Sequence, residues 1–239
     1  MDRKDIAVLF SGGLDSFCMY YKYKNAGHNV IPIYFHLGLP ENDKELKYMK
    51  SLDLYKDLIV NYNFKLADWK LDNEVLPFRN VHLVLGGFHY APRVALGATA
   101  SSTNRDKRSE FAGKLLDLAK FISFEPNKNP KGLRFVDMEI LLPFEHKTKT
   151  EFIREYLKTG SANELLKTRS CYKGEEEECG KCASCMRKFV ALTNNNLPVR
   201  MTHKITKEEL EVEEARAEAV GHHQVAVDTR KCITKLFIR

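Results

Sequence analysis

At 239 residues the chain is long enough to bury a sizeable hydrophobic core, and no Pro/Gly/Ser-rich or low-complexity stretch divides it. Its formal net charge of +6 comes from lysines spread along the sequence, which suits acidic small molecules such as nucleotides, so we do not predict direct nucleic-acid binding. Charged residues at positions 2–5 run directly into an apolar stretch, and no apolar run approaches transmembrane length, so we expect a cytoplasmic protein without a signal peptide or membrane span.

The first predicted elements form a strand–turn–helix–strand unit. Residues 5–10 are a short, continuous apolar run, as expected for a parallel strand that is covered on both faces. A glycine-containing turn follows, and then a helix from residue 17 to residue 26 that ends before Gly27. A second apolar run at residues 29–35 predicts the next strand.

The middle of the chain continues this alternation of helices and strands. From residue 42 to about residue 61, apolar residues recur at roughly helical spacing among lysines and acids, which predicts one surface helix. Residues 94–97 and 135–142 are predicted strands, and residues 109–124 are a predicted helix. The pattern predicts an α/β fold with a doubly wound, mainly parallel sheet.

The turn after the first strand, residues 11–16, has the sequence SGGLDS. Two adjacent glycines let backbone N–H groups approach an anion, and the N-terminus of the next helix adds partial positive charge. An ordinary tight turn would explain Ser-Gly-Gly alone, but the side chains of Ser11, Asp15 and Ser16 surround the same position. The turn therefore predicts a phosphate site, and it matches neither the Walker A pattern nor G-x-G-x-x-G.

Four of the six cysteines lie close together in the sequence, with the spacing C-x7-C-x2-C-x2-C. They are Cys171, Cys179, Cys182 and Cys185. Four thiolates are the usual tetrahedral ligands of a structural Zn²⁺, one per chain, with no position left for a substrate; an iron–sulfur cluster is the alternative. We interpret Cys18 and Cys232 as small hydrophobic residues or free thiols.

Capping boxes predict two short helices before the cysteines, because Thr148 precedes Glu151 and Ser161 precedes Glu164. Residues 186–192 and 207–220 are further predicted helices, and the basic tail after them carries no recognisable chemistry.

These elements divide the chain into three parts. Residues 1–160 are a predicted α/β nucleotide-binding domain, residues 161–200 a small zinc-binding helical segment, and residues 201–239 a C-terminal extension.

The loop SGGLDS resembles the SGGxDS signature of the PP-loop, or N-type, ATP pyrophosphatases. Together with the cysteine cluster, it resembles the 7-cyano-7-deazaguanine synthase (QueC) family up to about residue 195. The matching islands are FSGGLDS at 10–16, LPFRN at 76–80, DKRSEF at 106–111 and SCYKG…CGKCASCMRK at 170–188. Lys149 also stands six residues after Pro143, where members of that family carry a lysine.

The resemblance implies an adenine nucleotide alpha hydrolase-like fold, an ATP-dependent ligase and a homodimer. It implies that 7-carboxy-7-deazaguanine reacts with ammonia and two ATP, through an adenylated carboxylate and then an adenylated amide, to give 7-cyano-7-deazaguanine (preQ0). AMP and pyrophosphate are released, and Mg²⁺ accompanies ATP. Such chemistry needs positioning and electrostatics more than a covalent nucleophile.

The resemblance also assigns roles to individual positions. The residues that it assigns to ATP are Phe10, Ser11, Gly12, Gly13, Leu14, Asp15 and Ser16. Asp15, Ser16 and Lys149 are its catalytic candidates. Its substrate-binding candidates are Arg79, Asn80, Asp106 and Arg108.

The chain departs from that family in the segment expected to bind the base. The family has G-Y-P-D-C-R before its E-F, and here the stretch reads GATASSTNRDKRSEF, so Lys107 replaces the cysteine. The aromatic residue, the proline and an upstream asparagine are absent. Three products stay open: the nitrile, the amide, and a conjugate of the activated acid with another amine, as QueC-like variants in phage and antiviral settings could make.

Two alternatives belong to other functional classes. A nucleotide-binding module without turnover would not need to keep Ser11, Asp15, Ser16 and Lys149. A tRNA-modifying PP-loop enzyme would need an RNA-binding face, which the diffuse positive charge supports poorly.

Overall fold

Five short strands form one all-parallel sheet in the computed structural model, which describes residues 5–72, 75–102, 104–123, 137–171 and 177–238. The strands are β1 (Asp5–Leu9), β2 (Asn29–Phe35), β3 (Ile59–Asn61), β4 (Arg93–Ala95) and β5 (Glu139–Leu141). Their order across the sheet is β3-β2-β1-β4-β5. From the central strand β1 the chain first adds β2 and β3 on one side of the sheet and then β4 and β5 on the other side. This order confirms the predicted doubly wound fold and places the switch point between β1 and β4.

Nine α-helices accompany these strands in the described residues. They are α1 (Leu14–Asn25), α2 (Asn42–Met49), α3 (Arg79–Gly87), α4 (Ser109–Ser123), α5 (Lys149–Tyr156), α6 (Ala162–Leu166), α7 (Ala183–Asn194), α8 (Lys207–Ala219) and α9 (His223–Phe237). Short 3₁₀ turns occur at Asp53–Asp57, Ala67–Trp69 and Arg105–Lys107. No helix in this part of the chain is both long enough and apolar enough to cross a membrane.

Alternate residues of β1 pack into hydrophobic cores on opposite faces of the sheet. Ile6 and Val8 belong to the core that includes residues of α1, α5 and α7, whereas Ala7 and Leu9 belong to the core with α3 and α4. All four side chains are buried. This two-sided burial explains the continuous apolar run at residues 5–10 and confirms the predicted strand there, which ends at Leu9.

The predicted helix at residues 42–61 is wrong beyond Met49. A 3₁₀ turn follows α2, and Ile59–Asn61 form β3, in register with Ile33–Phe35 of β2. The apolar side chains after Met49 have helical spacing in the sequence. The edge of β2, however, offers these residues backbone hydrogen bonds, and a local sequence pattern cannot reveal a partner that lies elsewhere in the chain.

The strand predicted at residues 29–35 is β2, with the predicted bounds, whereas the remaining predicted elements of the α/β region are present with different ends. The strands predicted at residues 94–97 and 135–142 are β4 and the shorter β5, and residues 135 and 136 lie outside the described residues. The helix predicted at 109–124 is α4, whose last described residue is Ser123. The helix predicted at 17–26 is α1, which already begins at Leu14, inside the glycine-rich turn.

The C-terminal extension folds as a pair of helices, although the sequence analysis predicted only the first. α8 matches the helix predicted at residues 207–220, and the basic tail after it forms α9. Leu210 of α8 and Ile233 of α9 pack with Val190 of α7 in a small hydrophobic core of their own. The extension is therefore packed against the α/β body through α7.

We expect Leu210→Ala to destabilise the protein by about 2–4 kcal/mol, because Leu210 is fully buried and truncation leaves a cavity. Val212→Ala on the same helix is the matched control, since Val212 is 69% exposed, and should change the free energy of unfolding by less than about 0.5 kcal/mol. Urea unfolding followed by circular dichroism measures both values. Equal values for the two variants would contradict the packing described for α8.

Candidate active site and metal centre

The glycine-rich turn lies at the carboxyl end of the central strand. Gly12 has a φ of +73°, and a Cβ there would stand 2.7 Å from Met49 Cγ, so both the backbone shape and the space require glycine. The buried Ser16 hydroxyl accepts a hydrogen bond from Ser11 N–H at 3.2 Å and donates to Gly13 O at 3.1 Å. The turn is thereby fixed, with the Ser11 residue exposed beside it.

The first turn of α1 continues from this loop. Gly13, its N-cap residue, provides no side chain to cap the helix. Leu14 N–H makes a long hydrogen bond of 3.5 Å to Ser170 Oγ. The first-turn N–H groups and the helix dipole give this position the features of an anion site.

Lys149 reaches the loop from the opposite part of the sequence. Its Nζ donates a hydrogen bond to Asp15 Oδ1, and only 11% of its side chain is exposed. A complete capping box positions it: Thr148 N–H donates to Glu151 Oε2 at 2.8 Å, and Glu151 N–H donates to Thr148 Oγ1 at 3.3 Å. Lys149 is therefore held at the first position of α5 with its amine turned toward Asp15.

Arg79 and Asn80 begin α3, a helix that the sequence analysis did not predict. Buried Asn80 donates from Nδ2 to Asp106 Oδ2 at 2.8 Å, which ties α3 to the 3₁₀ turn at residues 105–107. Asp106 Oδ1 is buried and has no hydrogen-bond partner among the described residues. That oxygen is an acceptor available to a ligand.

Arg108, the other substrate-binding candidate of this segment, contacts the backbone of the preceding loop. Its Nη2 donates to Ser102 O at 2.6 Å, so the guanidinium holds the preceding loop.

Lys107 was noted in the sequence only as a departure, but it lies among the candidate residues. Burial lowers the pKa of the Lys107 amine, Asp15 and Asp106 oppose that shift, and Arg79 and Lys149 reinforce it. Four charged side chains thus act electrostatically on Lys107, and they come from both groups of candidate residues, Asp15 and Lys149 on one side and Arg79 and Asp106 on the other. The signal that could have found Lys107 is its position between Asp106 and Arg108.

The four clustered cysteines come together as a possible metal site. Their sulfur atoms all lie within 4.8 Å of one another. Sulfur atoms bound to one Zn²⁺ at about 2.3 Å in a tetrahedron stand about 3.8 Å apart, so the cluster needs only a small contraction to hold a metal ion.

Backbone N–H groups donate hydrogen bonds to sulfur atoms of the cluster. Lys181 N–H and Cys182 N–H each donate to Cys179 Sγ at 3.4 Å. Burial raises the pKa of the Cys179 thiol, but these two donors and side-chain hydrogen bonds from Cys171 and Cys182 together lower it to about 7. Cys182 is also the N-cap residue of α7, where its sulfur accepts from Cys185 N–H.

A chain of contacts joins the cysteine cluster to the glycine-rich turn. Glu178 precedes Cys179, forms a buried ion pair with Lys188 at 2.9 Å, and accepts from Ser170 N–H at 2.8 Å. Arg169 N–H donates to Gly12 O at 3.0 Å. The sequence analysis did not predict a role for Arg169, Ser170, Glu178 or Lys188, because the contacts that connect them are not visible in their spacing.

Comparison with known proteins gives one family and many relatives. A family model described as queuosine biosynthesis protein QueC matches residues 56–196, a range that includes the four cysteines but neither the glycine-rich turn nor the C-terminal extension. The 7-cyano-7-deazaguanine synthase 1 of Colwellia psychrerythraea is 28% identical over 225 residues, covering 80% of this chain and 94% of that protein. The 7-cyano-7-deazaguanine synthase of Aliarcobacter butzleri is 29% identical over 218 residues, covering 77% of this chain and 88% of that protein.

We expect Cys182→Ser to lose the bound metal and to lower the free energy of unfolding by about 3 kcal/mol or more, because metal binding contributes to folding. Serine is a favoured N-cap residue, so α7 keeps its cap and the loss reports on the metal. Plasma mass spectrometry measures metal per chain. Cys232→Ser is the control: it alters a buried thiol outside the cluster and should retain the metal, and full metal content in Cys182→Ser would contradict the assignment.

Proposed function

The chain belongs to the queuosine biosynthesis protein QueC family, and from this membership we propose that it is an ATP-dependent ligase that converts 7-carboxy-7-deazaguanine to 7-cyano-7-deazaguanine with ammonia. The observation that carries the proposal is the Lys149–Asp15 ion pair beside the fixed glycine-rich turn. The Lys149 amine lies there beside the predicted phosphate site of the glycine-rich turn. Adenylate formation requires such a cation next to the phosphates of ATP.

We assign the glycine-rich turn, residues 10–16, to the triphosphate of ATP. The N-terminus of α1, which has no N-cap side chain, and the backbone N–H groups of the turn favour the β- and γ-phosphates, which leave as pyrophosphate. Mg²⁺ would accompany the nucleotide, and the Asp15 carboxylate and the Ser11 hydroxyl offer the oxygen ligands that this ion prefers.

In the first step a carboxylate oxygen of the acid attacks the α-phosphorus, and pyrophosphate leaves. Lys149 stabilises the negative charge that develops on the phosphate, and its contact with Asp15 fixes the amine in place. Ammonia then attacks the acyl carbon, AMP leaves with its electron pair, and loss of one proton gives the amide.

The second step uses the same groups. The amide oxygen attacks the α-phosphorus of a second ATP, and pyrophosphate leaves again. Loss of AMP and two protons from the adenylated amide then forms the nitrile.

We assign recognition of the acid to the residues around α3 and the 3₁₀ turn. The free Oδ1 of Asp106 matches an N–H group of the heterocycle, and Asn80 holds Asp106 for that contact. Arg79 offers a fork of donors for the carboxylate. Arg108 supports this site through the Ser102 carbonyl rather than by pairing with Asp106.

We propose that the metal of the four-cysteine site is a structural Zn²⁺. The four thiolates fill its coordination, so its effect on the reaction is to hold Arg169 and Ser170 against the glycine-rich turn through Glu178. A homodimer also remains our proposal, supported by Leu118, Phe121 and Ile122 of α4, which are 50%, 81% and 63% exposed.

We expect the purified, metal-containing protein to form AMP, pyrophosphate and the nitrile from 7-carboxy-7-deazaguanine, ATP, Mg²⁺ and ammonium. Liquid chromatography with mass spectrometry identifies the product. The amide alone would mean that the second adenylation does not occur, and a conjugate formed only with another amine would assign a different acceptor. Absence of AMP under all these conditions would contradict the proposed function.

We expect Asp15→Ala to reduce pyrophosphate release at least about 100-fold, because Lys149 loses the partner that positions its amine. The fold should remain, with a fall in Tm of about 2–4 °C, since the pair is partly exposed. A coupled pyrophosphate assay and thermal unfolding measure the two quantities. Asp53→Ala removes a carboxylate that is 71% exposed and serves as the control; normal turnover in Asp15→Ala would exclude the assigned role.

A further inference from the structure

Arg169 lies directly against the glycine-rich turn. Its N–H donates to Gly12 O at 3.0 Å, and its carbonyl oxygen would stand 3.3 Å from a Cβ at Gly13. The next residue, Ser170, places its Oγ 3.5 Å from Leu14 N, at the first residue of α1. The backbone of Arg169 therefore runs beside the loop that we assign to the triphosphate.

An aromatic ring holds the Arg169 guanidinium. Its Cζ lies 4.2 Å from the centroid of the Tyr48 ring, which is a cation–π contact. Tyr48 belongs to the last turn of α2. Its neighbour Met49 packs on the glycine-rich turn, since Met49 Cγ lies 2.7 Å from the position of a Cβ at Gly12. The guanidinium therefore lies on the end of α2 that packs against the turn.

The N–H groups of this guanidinium are available to a ligand. A guanidinium that stacks on a ring keeps its donors in its own plane, so stacking does not use them. Arg169 forms no ion pair with a carboxylate of the described residues, and the buried carboxylate of the same segment, Glu178, pairs with Lys188 at 2.9 Å. A partly buried arginine with free donors is suited to bidentate binding of a phosphate group.

We propose that the Arg169 guanidinium binds the β- and γ-phosphates of ATP and stabilises the pyrophosphate as it leaves. In each adenylation the bond from the α-phosphorus to the bridging oxygen breaks, and its electron pair stays on the pyrophosphate, where fixed donors lower the barrier. Lys149 reaches the turn at Asp15 and Arg169 reaches it at Gly12, so we assign the two cations to different phosphates. The proposal rests on the proposed function, which forms pyrophosphate.

The first test measures binding of pyrophosphate, with Mg²⁺, to the metal-containing protein by titration calorimetry. Arg169→Met removes the guanidinium and keeps the backbone N–H that contacts Gly12. The Kd for pyrophosphate should rise about tenfold or more, the loss of one charge-assisted hydrogen bond. The Kd for AMP, which has no β- or γ-phosphate, should stay within about twofold. Arg154→Met removes the same charge from an exposed position of α5 and should change neither value.

Turnover gives a second readout. At saturating acid and ammonium, Arg169→Met should lower kcat for pyrophosphate release about tenfold and also raise the KM for ATP, because the charge on the leaving group grows in the transition state. Arg169→Lys keeps the charge without the planar fork and should recover part of the loss. If Arg169 acted only through its backbone, these side-chain changes would leave both constants unaltered.

Metal content and Tm are measured for each variant, because Arg169 lies two residues before Cys171. If Arg169→Met loses its metal, Tyr48→Leu decides instead. It removes the ring that holds the guanidinium and leaves the segment beside the cysteines unchanged, so the Kd for pyrophosphate should rise about threefold. An unchanged Kd in Tyr48→Leu would then overturn the proposal.

The outcomes separate this proposal from the proposed function. A wild type that binds pyrophosphate through Arg169 but forms no AMP from the acid supports the role of Arg169 and contradicts the reaction. Equal pyrophosphate binding by the wild type and by metal-containing Arg169→Met overturns the role of Arg169 and leaves the reaction standing. Equal weakening of AMP and pyrophosphate binding overturns the assignment to the leaving phosphates.

Discussion

The geometry of the site depends on the ion pair between Lys149 and Asp15, which connects the glycine-rich turn after the central strand to α5 in the C-terminal half of the chain. Asp15 belongs to the helix that leaves the central strand, and Lys149 begins α5, which packs on α1 and α7. Because a parallel sheet collects its loops at one edge, this pair lies at the switch point, where an open α/β fold forms a crevice. The capping box of α5 fixes the backbone position from which the Lys149 side chain extends to Asp15.

The cysteine cluster is a second constraint on the glycine-rich turn, because residues beside the cluster contact the turn. The described residues between α6 and α7, 167–171 and 177–182, form no helix or strand, and the buried pair of Glu178 with Lys188 is costly unless every partner is in place. A metal ion in the cluster would hold Glu178, and Glu178 in turn holds Ser170 beside the loop. A structural metal would thus affect catalysis without contacting a substrate, because it would determine whether Arg169 and Ser170 stay against the glycine-rich turn.

Local signals in the sequence predicted the features that depend on neighbouring residues. The covered strand β1, the glycine-rich turn, the capping box and the cysteine cluster each need only a short spacing to be recognised. Features that depend on distant contacts were not predictable in this way. β3 exists because β2 offers it an edge, and Lys107 acquires its surroundings from elements that lie far from it in the sequence. The helix α9 was missed for a related reason: its buried face is complete only when α7 and α8 pack against it.

We propose that the distribution of charge lets this site bind two anions and release one of them during the reaction. Asp15 and Asp106 act on Lys107 electrostatically together with Arg79 and Lys149, so three positive charges stand against two negative ones. Each of these side chains is partly buried, where charges interact more strongly than in water. A triphosphate and a carboxylate would reverse that balance, and departure of pyrophosphate would restore it. A fold that positions fixed charges needs no covalent nucleophile, since transition-state charge is stabilised by groups that are already in place.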